Sequence, residues 1–385
     1  MKKYSILFSV LLGSILGFSN QGSAQYFPAK GESWQSVKPT KAGLKEKELL
    51  DAVKFAEENE YSGSRDLRIA ILEGFAREPY HDVLGPTKKR GGPAGMIIKD
   101  GYVVAQWGDI KRVDMTFSVT KSYLSTVAGL AVDKGMIGLN DYVKDYVWDN
   151  TFEGEHNAKI TWDHLLTQSS DWSGSLFGSP DWSDRPPREG GVDDWKYREL
   201  HEPGTYFKYN DVRVNVLSYA LLQVWRKPLP QVLKENIMDP IGASSTWRWM
   251  GYDHAWVDLD GQKMQSVTGG GHSGGGVFIS AEDHARFGLL FLNEGNWNGK
   301  QVVSKEWVSS VQKSSAANAS YGYMWWLNRG SRKWDGIDDE SIYFAAGFGG
   351  NYIVVDKANN MVVITRWLEP NKLADFMLKL NSALK

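Results

Sequence analysis

The chain has 385 residues, 42% of them hydrophobic and 13% aromatic, with a formal net charge of −2 and no cysteine. That is enough apolar side chain for a large core in one big domain or two interlocked ones, and it excludes disulfides and cysteine-linked lipid. No basic block is long enough to follow a phosphate backbone, which excludes nucleic acid as an expected partner.

Residues 2–18, KKYSILFSVLLGSILGF, set two lysines before an apolar run, and GSA ending at Ala24 supplies small residues for cleavage. This reads as a secretory signal over 1–24, cut after Ala24, so the mature protein is expected in the periplasm or secreted. No later stretch approaches the roughly 18 uninterrupted apolar residues of a membrane span, so no stable membrane insertion is expected once the signal is gone. The segment 41–60 has helical spacing of Leu44, Leu49, Val53 and Phe55 between charges, and a second helix is predicted near 66–77. AGMIIKDGYVVAQWG, 94–108, reads as two strands turned at Asp100-Gly101.

FSVTKSYLSTVAGLAVDKG, 117–135, predicts a buried helix beginning near Ser118. From there to about 262 helices are expected to dominate, interrupted by a Trp-, Gly- and Pro-rich loop over 169–205 that reads as a wall or lid. Within it Trp172, Trp182 and Trp195 are candidates to line a cleft. Helices are predicted at 211–225 and 229–243. Strand signals return at GVFIS, 276–280, followed by a helix to Leu292 with a capping box from Ser280. A late hairpin and a helix near the C-terminus complete the pattern. The pattern implies a discontinuous α/β sheet domain (25–112 and 263–385) with a helical domain inserted (113–262).

Ser-x-x-Lys occurs three times, at Ser118/Lys121, Ser310/Lys313 and Ser382/Lys385. Residues i and i+3 share a helix face, so hydroxyl and amine can touch. Ser310 reads as lying well inside the helix SKEWVSSVQK, and Ser382 lies in the last turn of the chain. Only Ser118 stands where a helix begins after a hairpin, where helix N–H groups favour developing negative charge and a partly desolvated lysine is a plausible base. Taken alone, the pair also fits an N-cap and a snorkelling lysine. GHSGG at 271–275 matches the Gly-x-Ser-x-Gly elbow, with Ser273 as nucleophile. The elbow needs a helix directly after it, whereas a strand follows here, so this stretch reads as a tight turn with His272 lining the pocket. The seven histidines show no metal-ligand spacing, and neither metal nor cofactor is expected.

Tyr209-Asn210-Asp211, with PGT upstream, resembles the second element of the penicillin-recognising serine hydrolases. HLLTQSS (164–170), the stretch 274–308 and YGYMWW (321–326) are similar to that family's surrounding segments. In this order, over roughly 90–370, the set identifies the chain as resembling β-lactamase-related serine hydrolases: class C β-lactamases, family VIII carboxylesterases, D-alanyl-D-alanine carboxypeptidases and, most similar, 6-aminohexanoate-dimer hydrolases. The resemblance implies an α+β, β-lactamase/penicillin-binding-protein-like fold with an antiparallel sheet flanked by helices. It further implies acyl transfer through an ester on Ser118, with Lys121 and Tyr209 sharing the proton work in an order the sequence leaves open.

Two departures from the family pattern matter. Asp211 stands where the family has Asn, replacing a donor amide with a carboxylate that can steady Lys121 as an ammonium. The third motif is degenerate: Ala345-Ala346-Gly347 takes its place, and Phe348 N–H joins Ser118 N–H as the oxyanion hole. Arg366 on the neighbouring strand could replace the missing charge, but Trp367 after it and the aromatic loop favour an uncharged cleft. The expectation is an esterase or amidase acting on uncharged small molecules. A β-lactamase or D-Ala-D-Ala peptidase, and an inactive module binding ligands in the same cleft, are the alternatives. The oligomeric state is left open.

Overall fold

The structure is a computed structural model describing residues 25–384; the leader read at 1–24 lies outside them. The hairpin expected at 94–108 is present as Ala94–Lys99 and Tyr102–Trp107, and it belongs to a six-stranded antiparallel sheet. The order across the sheet is Trp326–Leu327, Tyr343–Gly347, Asn351–Asp356, Met361–Arg366, Ala94–Lys99, Tyr102–Trp107. Early strands therefore pair with late ones, Ala94 facing Arg366 and Lys99 facing Met361.

Alternation along these strands buries both faces. Met96, Ile98, Ile353, Val355, Val362 and Ile364 join Phe287 and Leu290 of the helix Ala281–Leu292 in the main core. Ile97, Val104, Val354 and Val363 turn the other way. They pack with Leu49 of the helix Glu46–Glu58 and Phe376 of the helix Leu373–Ser382. Ser280 caps Ala281–Leu292 by accepting from Asp283 N–H at 3.2 Å. The Asp283 carboxylate, which would complete a capping box, binds Ser244 instead.

The helix Thr120–Asp133 is buried from Thr120 to Ala131. Its small hydroxyl residues have partners: Ser122 and Ser125 donate to the carbonyls of Met324 and Tyr323, and Thr126 donates to that of Ser122. That is how a helix rich in Ser and Thr can lie inside a core. The helix Asp211–Trp225 packs beside it, buried from Asp211 to Leu222.

The expectation that helices dominate up to about 262 needs correction. Arg248–Leu259 and Gln262–Val267 form an antiparallel hairpin that crosses residue 262, where the domain boundary was drawn. Its turn is Asp260-Gly261, with φ of 53° and 74°, a pairing that favours two-residue hairpins. With Gly276–Ile279 and Asp114–Met115 this hairpin makes a second, four-stranded sheet. Ser310 closes the helix Lys305–Ser310 instead of lying well inside it, and Ser382 is the last residue of its helix. Among the described residues no helix is long and apolar enough to cross a membrane.

Candidate active site

Ser118 occupies a 3₁₀ turn, Phe117–Val119, that runs directly into the helix Thr120–Asp133. The residue before it, Phe117, has φ of 50°, a left-handed conformation that a bulky side chain adopts only when its surroundings enforce it. Those surroundings are specific. Arg366 donates to Met115 O at 3.0 Å, Thr116 N–H donates to Val277 O at 2.9 Å, and Thr116 Oγ1 lies 2.8 Å from His284 Nε2. His284 also meets the Tyr123 hydroxyl at 2.9 Å. Burial, reinforced by Arg366, pushes its imidazole well below the ordinary range, so the ring is neutral, one nitrogen donating and the other accepting.

Four of the sequence-predicted residues converge here. Lys121 Nζ lies 2.9 Å from Ser118 Oγ and 2.6 Å from Asp211 Oδ1, and it sits 4.5 Å from the centre of the Tyr209 ring. Lys121 and Asp211 are buried, whereas Ser118 and Tyr209 are partly exposed. Gln168 sets the position of Tyr209. It accepts from Lys208 N–H through its backbone carbonyl and from Asn210 N–H through its side chain, while donating to the Tyr321 hydroxyl at 2.7 Å. Asn210 caps the helix Asp211–Trp225 and so delivers Asp211 to Lys121.

Burial pushes the Asp211 carboxyl up, but the charges of Lys121 and Arg185 outweigh it and hold the group well below the usual carboxylate range. Arg185 comes from the 169–205 loop. Its Nη1 donates to Asp211 Oδ2 at 2.7 Å and to Asp184, and its Nη2 meets His272 Nδ1 at 3.2 Å. Burial pulls the guanidinium down, yet Asp184 and Asp211 prevail and raise it above its ordinary value. Beyond it, His272 Nε2 lies 2.6 Å from Glu78 Oε2. His272 is therefore one step removed from Lys121, its ring tilted against Phe75 with centroids 3.8 Å apart.

The rim of the site is aromatic. Phe117 meets Phe348 at 5.0 Å, Phe348 meets Phe75 at 5.4 Å, and Tyr209 stacks on Trp326 at 5.6 Å. Gly347 lies directly against the nucleophile turn, where an added Cβ would stand 2.2 Å from Thr116 O.

One expectation does not survive, and two others hold. Trp172 lines no cleft: it is buried, and its Nε1 donates to Thr151 O at 2.7 Å, because the loop folds over it. Arg366 faces inward, donating to Asn351, Ile279 O and Met115 O, and so cannot replace a charge in the cleft. Ser273 is buried in a turn before the strand Gly276–Ile279, which excludes the elbow reading.

Sequence reasoning missed Arg185, Asp184, Glu78, Gln168 and Gly270. Each acts across a large sequence separation, and Asp184-Arg185 is one charged pair among many in a loop that also carries Asp171, Asp181, Arg188, Glu189, Asp193 and Asp194. Glu78, Asp184 and His272 each bring a donor atom within 4.8 Å of the others, which is the composition of a cation site. Those atoms already face one another and the Arg185 guanidinium.

A sequence from Paenarthrobacter ureafaciens named 6-aminohexanoate-dimer hydrolase is 26% identical over 60% of this chain, and the match spans 62% of that relative's length. One from Escherichia coli O157:H7, provisionally named a D-alanyl-D-alanine carboxypeptidase, is 22% identical over 92% of this chain and 89% of its own. Among solved structures, a family VIII carboxylesterase superposes with TM-score 0.55 at 17% identity over 77% of this chain and 92% of that one. EstCE1, described as a hydrolase with promiscuous acyltransferase activity, gives 0.58 at 15% over 88% and 98%. These likenesses show the fold. Residues 85–370 match the family model described as Beta-lactamase, and with that match across most of its length the chain belongs to the beta-lactamase family of serine hydrolases.

Proposed function

We propose that this chain is an exported serine hydrolase that works by acyl transfer through a covalent ester on Ser118, with uncharged esters or small amides as substrates. The observation that carries the reading is the contact of Lys121 Nζ with Ser118 Oγ, 2.9 Å, at the head of a buried helix. Ser118 Oγ attacks the acyl carbon while its proton passes to Lys121 or Tyr209. Ser118 N–H and Phe348 N–H hold the oxyanion, and Tyr209 returns a proton to the leaving group. Water then releases the acyl group. The packing of Gly347 against Thr116 O supports that placement of the oxyanion hole.

The charge balance of the chamber supports uncharged substrates. Arg366 is turned away, and the one guanidinium near Asp211 is already matched by two carboxylates, Asp184 and Asp211. A substrate carboxylate entering beside Asp211 would lose hydration with no unmatched guanidinium there, among the described residues, to compensate; Arg332, over the Trp326 ring, lies at the rim instead. The aromatic rim suits a short acyl chain. Export rests on the lysine-led apolar segment 2–18.

The test compares kcat/KM for p-nitrophenyl acetate and butyrate with that for nitrocefin. Ester turnover that exceeds nitrocefin turnover is expected. Efficient nitrocefin hydrolysis with negligible esterase activity would overturn the substrate class. Ser118→Ala should abolish both hydrolysis and fluorophosphonate labelling, whereas Ser273→Ala should leave a protein that still labels at Ser118. A label found by mass spectrometry on Ser273 would overturn the nucleophile assignment.

A further inference from the structure

In a site of this kind an amide beside the lysine would be electrically neutral, but here the lysine faces a carboxylate. Lys121 is 1% exposed and has Asp211 Oδ1 2.6 Å away. An isolated buried pair at that distance would hold the lysine as an ammonium, which has no lone pair with which to take the Ser118 proton. The structure places a second cation on the same carboxylate. Arg185 Nη1 reaches Asp211 Oδ2 at 2.7 Å, so Lys121 and Arg185 share one negative charge, one on each oxygen.

Arg185 is fixed from three further directions. Its backbone is left-handed, with φ of 49°. Its N–H donates to Glu78 Oε1 at 3.2 Å, and its carbonyl accepts from Lys208 Nζ at 2.9 Å. Its Nη2 meets His272 Nδ1. A non-glycine residue held in this conformation with every anchor engaged is built to deliver its side chain to one place. That place is the second oxygen of Asp211.

We infer that Arg185 is a positioning residue for the Ser118–Lys121 pair: by holding Asp211 Oδ2 it divides the charge of that carboxylate and frees Lys121 to become the neutral amine that accepts the Ser118 proton. This rests on the hydrolase reading above. In the step itself the Ser118 O–H proton moves to the Lys121 lone pair as Oγ bonds to the acyl carbon, and the carbonyl π pair moves to oxygen. The charged and titratable groups around the pair come from every packed element. They are Asp211 from its helix, Arg185 and Asp184 from the loop, His272 from the turn before Gly276, and Glu78 after the helix Leu67–Phe75. Lys208, on the Arg185 carbonyl, and the phenols of Tyr209, Tyr252 and Tyr321 complete the set among the described residues.

The test is the pH dependence of the second-order rate of fluorophosphonate labelling at Ser118, which needs nucleophile activation and no knowledge of the natural substrate. Arg185→Gln should move the acid limb up by about one pH unit, slowing labelling about tenfold below the limb while the alkaline plateau stays within a few-fold. Arg185→Lys should keep most of the wild-type profile. Asp211→Asn should move the limb down, and adding Arg185→Gln to it should produce less than half the shift seen in the wild-type background. An unmoved limb in Arg185→Gln overturns the inference, and so does an equal shift in both backgrounds, which would mean that the guanidinium acts without Asp211. If Arg185→Gln folds poorly, Asp211→Asn decides: a limb that stays or rises overturns the inference. Wild-type protein that fails to label at Ser118 would sink the hydrolase reading itself, whereas labelling with an unmoved limb sinks this inference alone.

Discussion

Gly270 shows how little room surrounds the ion pair. A Cβ built there would stand 1.7 Å from Asp211 Oδ1 and 2.3 Å from Lys121 Nζ, so any side chain displaces one or the other. Gly270→Ala should therefore lower kcat at least a hundredfold and slow fluorophosphonate labelling in parallel, with the melting temperature as the check that the protein is still folded. Lys121→Arg should fail as well, because a guanidinium does not give up its proton at usable pH. If Lys121 and Tyr209 act with Ser118 as one unit, each single substitution should cost two or more orders of magnitude in kcat. The double mutant should then lose far less than the product of the two. The residues legible in the sequence were those whose spacing carries their meaning: Ser118 and Lys121 are one helical turn apart, and Tyr209 and Asp211 flank a helix cap. Arg185 and Glu78 reach the site only through folding, and Gly270 is marked only as part of a glycine run read as a tight turn, not as the residue that faces the ion pair.

At the scale of elements, the 169–205 loop is tied down by buried charge. Asp171 binds Arg198 at 2.5 Å and Arg213 at 2.7 Å, and Arg213 also holds Asp181 at 2.9 Å. Burial raises the Asp171 carboxyl, but Arg198, Arg213 and the His201 N–H prevail and bring it to about 2. A carboxylate whose folded value lies below its unfolded value contributes stability above the ordinary carboxylate range. It loses that contribution as pH falls from about 4 towards 2, roughly 2 kcal/mol in all. Asp171→Asn should lower the melting temperature at pH 7, where it removes one carboxylate from the buried Arg213 and the paired carboxylate from the partly exposed Arg198. The gap from wild type should narrow as pH falls towards 2; a gap that is constant across that range would show that the pairing does not stabilise the loop. The loop was legible by composition, but its wall was misjudged: Trp172 is an inner anchor, and what reaches the site is Arg185. The 248–267 hairpin was missed although Asp260-Gly261 marks its turn, because its burial does not follow a strict alternation. The 94–108 hairpin, with β-branched runs on both sides of Asp100-Gly101, was plain.

At the scale of the whole molecule, the sheet is closed by strands from opposite ends of the described chain, and the flanking helices repeat the arrangement. Lys45 N–H donates to Ala383 O at 2.8 Å, and Glu46–Glu58 packs on Leu373–Ser382. Deleting residues from Leu373 onward strips Phe376, Met377 and Leu380 from the core they share with Leu49 and Val354. Such a truncation should give no Ser118 labelling at any pH, even though every residue of the site is retained. Part of this plan was readable as strands, then helices, then strands; the pairing register was not, because it depends on contacts that no local pattern encodes.

The same closure sets an order of events in time. Once the chain begins to fold, the hairpin 94–107 can form early, but the edge of Ala94–Lys99 has no partner until residues 361–366 reach it. Closing so large a loop is slow relative to local folding, and an unpaired apolar edge is a template for wrong pairing while it waits. Refolding from denaturant should therefore be dominated by a late phase that closes this edge and restores Ser118 reactivity, and its yield should fall steeply as protein concentration rises.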